Sequence, residues 1–394
     1  MIFATPKLPA QYRRVIEDIN RSREKLRFAT SDSIHRWWGI LARTAAARAM
    51  VGSNTIEGIN ASMDDAMAVI DGEPELSEDD ENRAALIGFW NAMTYIVQLS
   101  KDSTYTHNEG TIKSLHYMLM SYDLTKHPGR WRTSPIHVSN TATNKVVYEG
   151  PDAQFVPTLM QELILFLNSE CEEPLVKAAM THLNLTMVHP FLDGNGRMAR
   201  ALQTMVLSRE GILDPHFSSI EEYIGSHSAD YYAVLTEVGQ GSWNPQRDAL
   251  PWIKFCLTAH ARQAHKLLRR LEETRAIWTQ LEALARQHRL NERVVNALAE
   301  ATMGYKVRNP SYRKLADVSN QVAKVDLKNL ADLGLLIPVG EKRGRYYERS
   351  ELLTQLRKSV RSSRGQEEID PFEDPESLPH QAFLPGFSSR KTGK

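Results

Sequence analysis

The chain has 394 residues, enough for two or three domains with ample core, and its 48 Lys and Arg balance 48 Asp and Glu, so no global field draws it to nucleic acid or a membrane surface. Cys171 and Cys256 lie far apart without a zinc or disulfide spacing, and no apolar stretch approaches a membrane span. The first residues lack the apolar core of a secretory signal, so a reducing cytoplasm is the expected compartment.

Read in chain order, residues 10 to about 100 carry helical periodicity, interrupted by the acidic stretch 71–80. Within them Leu41–Met50 is rich in strong helix formers, Gly58 is the residue type found just past a helix end, and Ser62–Asp65 reads as a helix start. Residues 129–148 hold two short β-rich runs around a Ser/Asn/Thr turn, a hairpin signal. Pro174–Val188 has apolar residues at helical spacing, with His182 read as a core histidine, and delivers His189 from the end of a buried helix. Long helices with Arg and Glu on exposed faces are expected from Pro251 to about Ala301. Residues 311–349 read as helix, turn, helix and a two-stranded wing, and after about 361 the Ser, Gly, Glu, Asp and Pro content predicts disorder. The expected organisation is a helical region over 1–100, a core over 101–260, a helical connector over 261–305, a small domain over 306–358 and a tail over 359–394.

The densest chemistry lies between His189 and Arg200. Gly194 and Gly196 let the backbone approach an anion, and the helix predicted from Met198 adds the positive end of its dipole, so a nucleotide's phosphates fit there. Arg197 and Arg200, three apart, project from one helix face with forks that suit phosphate oxygens. Asp193 is the natural ligand for Mg²⁺ (or Mn²⁺), which on a polyphosphate is held by one or two carboxylates plus phosphate oxygens. His189 is the candidate general base, because its ordinary pKa of about 6.5 lets it take a proton near neutrality.

The string His189-Pro-Phe-Leu-Asp-Gly-Asn-Gly-Arg-Met-Ala-Arg200 resembles the signature of Fic-domain proteins with no departure at a defining position. The resemblance implies a mainly α fold: a Fic-type helical core with a β-hairpin flap, here followed by a small winged helix-turn-helix domain. It implies transfer of AMP from ATP to a protein hydroxyl, with His189 as base, Asp193 on the metal, Asn195 and the Gly194 and Gly196 amides on phosphate oxygens, and Arg197 and Arg200 on the β- and γ-phosphates. Phe191 would anchor the loop in the core. The hairpin at 129–148 looks like the flap that pairs with the target's main chain; a surface loop without substrate contact is the other reading. Ser53-Asn-Thr-Ile-Glu57-Gly58 matches the family's inhibitory pattern, which implies an inhibitory helix at about 41–58 whose Glu57 pairs with Arg200 in place of the γ-phosphate; alone, it is an ordinary helix end. Residues 227–235 resemble the family helix whose tyrosines reach the base, with Tyr231 the assigned adenine contact and Tyr231 and Tyr232 equally readable as core aromatics.

These readings converge on an autoinhibited protein adenylyltransferase acting on a Ser, Thr or Tyr hydroxyl, its own included. Removal of AMP or transfer of another phosphate-linked group by the same site is the enzymatic alternative. The alternative of another class is a nucleotide-sensing regulator that binds DNA through 311–349, where eight basic residues face five acidic ones, too small a surplus to separate DNA from a protein contact or homodimerisation.

Overall fold

The computed structural model describes residues 1–31, 37–73, 80–139, 146–170, 173–209, 215–341, 344–362 and 370–373. The hairpin turn at 140–145, most of the acidic stretch, Cys171 and most of the predicted tail lie outside these residues. Helices dominate: α1 (Ala10–Ser31), α2 (Trp38–Ile56), α3 (Met63–Asp71), α4 (Asp80–Lys101) and α5 (Glu109–Met120) precede a hairpin of β1 (His137–Ser139) and β2 (Val146–Glu149). Then come α6 (Val156–Asn168), α7 (Pro174–Val188), α8 (Asn195–Ser208), α9 (Pro215–Ser218), α10 (Glu221–Ser226), α11 (Ser228–Gly239) and α12 (Leu250–Gln287). The C-terminal part holds α13 (Val295–Met303), α14 (Asn309–Ala316), α15 (Asn320–Asp332), an antiparallel hairpin of β3 (Leu336–Val339) and β4 (Tyr346–Arg349), and α16 (Glu351–Ser362).

Two apolar cores organise these elements. One is built on the facing sides of α7, α8, α4, α5 and α6, with Leu183, Phe191, Met198 and Leu202 fully buried. The other joins the far half of α12 to α13, α15 and the second hairpin through Leu281, Leu298, Leu327 and Leu336. Helix α2 belongs to both: Ile40, Leu41 and Ala45 pack into the second core, Ala47, Met50 and Ile56 into the first. Its sequence permits this because small and apolar residues surround it on nearly every face, so it behaves as a buried core helix.

Two further contacts fix α2. It crosses α10 backbone to backbone: a Cβ on Gly225 would lie 2.8 Å from Gly52 Cα, and one on Gly52 would meet the Glu221 carbonyl. Arg43, nearly buried, bridges Asp71 at the end of α3 and Glu300 on α13, so one guanidinium ties both cores. Arg308 reaches Glu73 at 3.4 Å beside this cluster.

The region read as one run of long helices after Pro251 contains a 38-residue helix, α12. The predicted tail starts later than residue 359, since 351–362 form α16, and Phe372 packs edge-on against Tyr12 at 5.0 Å under Lys254. No helix among the described residues is long and apolar enough to cross a membrane.

Arg43→Met removes the cation that pairs directly with both Asp71 and Glu300. Unfolding free energy from urea titration is expected to fall by about 3–5 kcal/mol, the cost of breaking a buried ion pair on one side.

Candidate active site

The site forms where α7 stops. His189 closes that helix in the left-handed region (φ 51°), which ends the turn and swings its ring out of the helix line. Its Nδ1 lies 3.1 Å from the Thr186 carbonyl, and a carbonyl only accepts, so Nδ1 carries the proton and Nε2 keeps its lone pair. Burial pushes the ring below its ordinary pKa, against the raising effect of the Thr186 hydrogen bond, so it stands as a neutral base.

The loop after His189 is fastened at each step. Asn195 was expected to hold a phosphate oxygen, but its side chain is 2% exposed and fully engaged: Oδ1 accepts from the Phe191 amide at 2.9 Å and Nδ2 donates to the Phe191 carbonyl at 3.0 Å. The buried side-chain amide closes its own loop, which leaves the main-chain N–H at the start of α8 as the group Asn195 best presents to an anion. Gly194 lies at φ +75°, and a Cβ there would stand 2.6 Å from Met120 Sδ and 3.2 Å from His116 Nε2, so glycine is required on both conformational and steric grounds. Arg132, from the segment leading into the first hairpin, donates from Nε to the His189 carbonyl at 2.7 Å and from Nη2 to the Pro151 carbonyl at 2.6 Å.

Arg197 and Arg200 leave the first and second turns of α8 nearly buried and diverge. Arg197 donates to the Tyr122 hydroxyl at 2.8 Å and leaves its buried Nε without a partner. Arg200, 1% exposed, donates to Ser53 Oγ at 3.1 Å, the Ser53 carbonyl at 3.0 Å and Glu57 Oε1 at 2.8 Å, and leaves Nη1 buried without a partner. Burial pushes the Glu57 carboxyl up, but Arg200 and then Arg197 overrule it and hold it ionised below its ordinary value. Glu57 also sits against the backbone at the start of α8: a Cβ on Gly196 would lie 2.5 Å from Oε1. A carboxylate thus lies over a helix N-terminus, between two arginines with unsatisfied N–H groups, the setting of an anion site. Gly58, expected just past the helix end, follows Glu57 at φ +77°.

Asp193 is half exposed; Oδ1 accepts from the Gly194 amide at 2.6 Å and Oδ2 lies 3.8 Å from Lys126 Nζ. No group of three or more His, Cys, Asp or Glu that could hold a metal occurs among the described residues. One carboxylate beside a phosphate-sized anion site fits Mg²⁺, which takes one or two protein carboxylates and fills the rest of its shell with phosphate oxygens and water.

The tyrosine assignment needs correction. Tyr231 is 2% exposed and faces inward, its hydroxyl 3.1 Å from His182 Nε2, while His182 Nδ1 lies 2.6 Å from Gln203 Oε1. Because an amide oxygen accepts, His182 donates from Nδ1 and accepts a hydrogen bond from the Tyr231 hydroxyl at Nε2; both residues are buried, with Arg200 among the neighbours of Tyr231. Tyr232 is the ring at the surface, 48% exposed, and donates to the Ile56 carbonyl at 3.1 Å, at the end of α2. Adjacent tyrosines on a helix point about 100° apart, so sequence could not choose between them. Tyr122, Arg132 and His116 carry no local motif and were not singled out. The expected hairpin is present, with Tyr148 donating to the Met187 carbonyl at 2.8 Å.

Burial pushes four histidines far down: His107 and His116 to about 4, His182 and His260 to about 3. Each is neutral when folded and contributes stability in full above its free value of 6.5, lost as pH falls through the folded value. Glu221, pushed up to about 7 by burial, works the other way, as do Asp71, Glu73 and Glu300, which burial also raises. Unfolding free energy is therefore expected to drop between pH 6.5 and 4.5 by about 1.4 kcal/mol per pH unit for each histidine in excess. Urea titrations at a pH series check it, and a flat profile would contradict neutral burial.

The profile of the Fic/DOC family matches residues 106–207, which include the hairpin, α7 and most of α8. The chain is 25% identical over 257 residues to "Protein adenylyltransferase Fic" of Nematostella vectensis, covering 64% of this chain and 55% of that one. It is 31% identical over 120 residues to "Protein adenylyltransferase fic-1" of Caenorhabditis elegans, covering 30% of this chain and 21% of that one. The chain thus spans about half the length of the first relative and about a fifth of the second. A Fic family protein from Desulfovibrio desulfuricans G20 superposes with a TM-score of 0.58 at 21% identity, over 88% of this chain and 98% of that one. Residues 134–508 of Fic-1 from C. elegans do so with a TM-score of 0.52 over 66% and 73%. The likeness to the Fic/DOC family is thus carried by residues 106–207 of the chain.

Proposed function

We propose that the protein is an autoinhibited adenylyltransferase that moves AMP from ATP to a Ser, Thr or Tyr hydroxyl of a protein, itself included. One observation carries the reading: a neutral histidine with a free Nε2 stands next to an anion site whose arginine N–H groups are buried and unsatisfied, and a glutamate occupies that site. The names of the relatives support adenylyl transfer, and the intact Gly194-Asn195-Gly196-Arg197 run supports it over other phosphate chemistry.

In this reading the ATP phosphates lie over the start of α8, held by its first amides and by Arg197 and Arg200. The acceptor hydroxyl oxygen attacks the α-phosphorus, its proton passes to His189 Nε2, and the bond from phosphorus to the α,β-bridging oxygen breaks to release pyrophosphate. Arg197 and Arg200 stabilise the charge that develops on the leaving group. A divalent cation held by Asp193 would neutralise part of that charge when bound. Glu57 and a γ-phosphate compete for Arg200, so ATP is excluded or misaligned while the pair persists.

Incubation with ATP labelled at the α- or the γ-phosphate tests the reaction: α-label in protein is expected, γ-label would mean phosphorylation, and no label with a DNA shift would favour the regulator. Glu57→Gly is expected to raise α-label incorporation about ten- to a hundredfold, since a charge-assisted pair is worth about 1.5–3 kcal/mol and 1.4 kcal/mol is about tenfold. Arg200→Ala in that background should cancel most of the gain, and His189→Ala should abolish transfer while nucleotide binding persists. Labelling by Glu57→Gly equal to wild type at saturating Mg·ATP would reduce residues 53–58 to an ordinary helix end.

A further inference from the structure

His116 lies on α5, more than seventy residues before the signature, yet it touches the signature loop directly. Its ring is completely buried and stacks flat on Phe191, with centroids 3.5 Å apart and planes 2° apart. Nε2 lies 2.8 Å from the Asp193 carbonyl, and the Gly129 amide donates to Nδ1 at 2.8 Å. These two bonds fix the tautomer. An amide N–H can only donate, so Nδ1 carries no proton; Nε2 must carry it and donates to the Asp193 carbonyl. The arrangement is the reverse of His189, whose proton is on Nδ1.

The two ends of the ring hold different parts of the site. Asp193 carries the carboxylate that faces the phosphates, and Gly129 begins the segment that enters the first hairpin. The same segment reaches the loop elsewhere too: Trp131 packs on Phe191 at 4.8 Å, the Arg132 amide donates to the Pro190 carbonyl at 2.9 Å, and Arg132 Nε donates to the His189 carbonyl at 2.7 Å. Those contacts grip the loop before Asp193. His116 alone among the described residues hydrogen-bonds both the Asp193 main chain and the hairpin entry through one rigid ring.

We propose that His116 is a positioning residue: it fixes the distance between the Asp193 end of the signature loop and the base of the hairpin. Resting on the adenylyl-transfer reading, this distance sets where the acceptor hydroxyl lies relative to the α-phosphorus. The two bonds can be cut separately, because an asparagine oxygen reaches roughly the place of Nδ1 and a glutamine nitrogen that of Nε2. His116→Asn keeps the Gly129 bond and drops the Asp193 bond; His116→Gln does the opposite.

In a Glu57→Gly background, His116→Asn is expected to raise the Mg²⁺ concentration that half-saturates α-label transfer by about three- to tenfold, the worth of one hydrogen bond. His116→Gln should leave that concentration within about twofold while slowing transfer at saturating Mg·ATP. Two readouts are independent of activity. Ring ¹⁵N spectra of histidine-labelled full-length protein should show His116 protonated on Nε2 and not on Nδ1, and hydrogen exchange at the Gly129 amide should quicken in His116→Gln but not in His116→Asn. The opposite tautomer, equal Mg²⁺ dependence in both variants, or equal Gly129 exchange in both overturns the proposal. If the Glu57→Gly parent transfers no α-label, the adenylyl-transfer reading fails, while the spectra and the exchange still decide whether His116 clamps the loop to the hairpin.

Discussion

A guanidinium buried among helices must be answered by an anion, and the site depends on that requirement at Arg200. Its side chain emerges from the second turn of α8 into a region closed off by α2, where it is 1% exposed. An unpaired charge there would cost several kcal/mol, so the folded chain keeps a carboxylate at hand. Glu57 meets the need at 2.8 Å, and Ser53 meets it from the same helix through its hydroxyl and its carbonyl. The charge that would make the site useful to a triphosphate is therefore the charge that calls in its competitor. In the folded chain the glutamate is the anion that answers this buried charge.

For Glu57 to serve, α2 must be held at one depth and one rotation, and its surroundings provide that. The Gly52 and Gly225 backbones meet where any side chain would separate them, and Tyr232 donates to the last carbonyl of the helix. Farther along, Arg43 locks the same helix to α3 and α13. The helix is thus a rod whose tip lies against Arg200 and whose root is planted among the C-terminal helices. A displacement of those helices has a direct mechanical route to Glu57.

Much of the site was legible because its chemistry is local. From His189 to Arg200 the base, the carboxylate, the glycines and the arginines follow one another within a turn and a helix start, so spacing alone brings them together. Ser53 and Glu57 are four apart on one helix, and the pattern needed only an arginine opposite. What sequence left open were orientations and contacts across distance. Whether Asn195 faces a ligand or its own loop depends on the path of Phe191, and which of Tyr231 and Tyr232 faces inward depends on where α11 settles. His116 and Arg132 act on the loop from α5 and from the hairpin entry, at separations where periodicity carries no information. The helical character of the chain was likewise readable, whereas the division of α2 between two cores was not, since a helix apolar on most faces does not say what covers it.

That division has a consequence for how the chain can be cut. The stretch that matches the family, 106–207, contributes α8 and Arg200 but neither Ser53 nor Glu57, which answer that arginine. A fragment limited to it would bare the apolar surface that Met50 and Ile56 now cover and leave a buried cation facing solvent or a stray anion. A fragment ending before α13 would keep the tip of the helix and strip its root, exposing Ile40 and Leu41 and stranding Arg43 with one partner instead of two. Excision at the boundaries of the family match would therefore expose apolar surface that α2 covers in the whole chain.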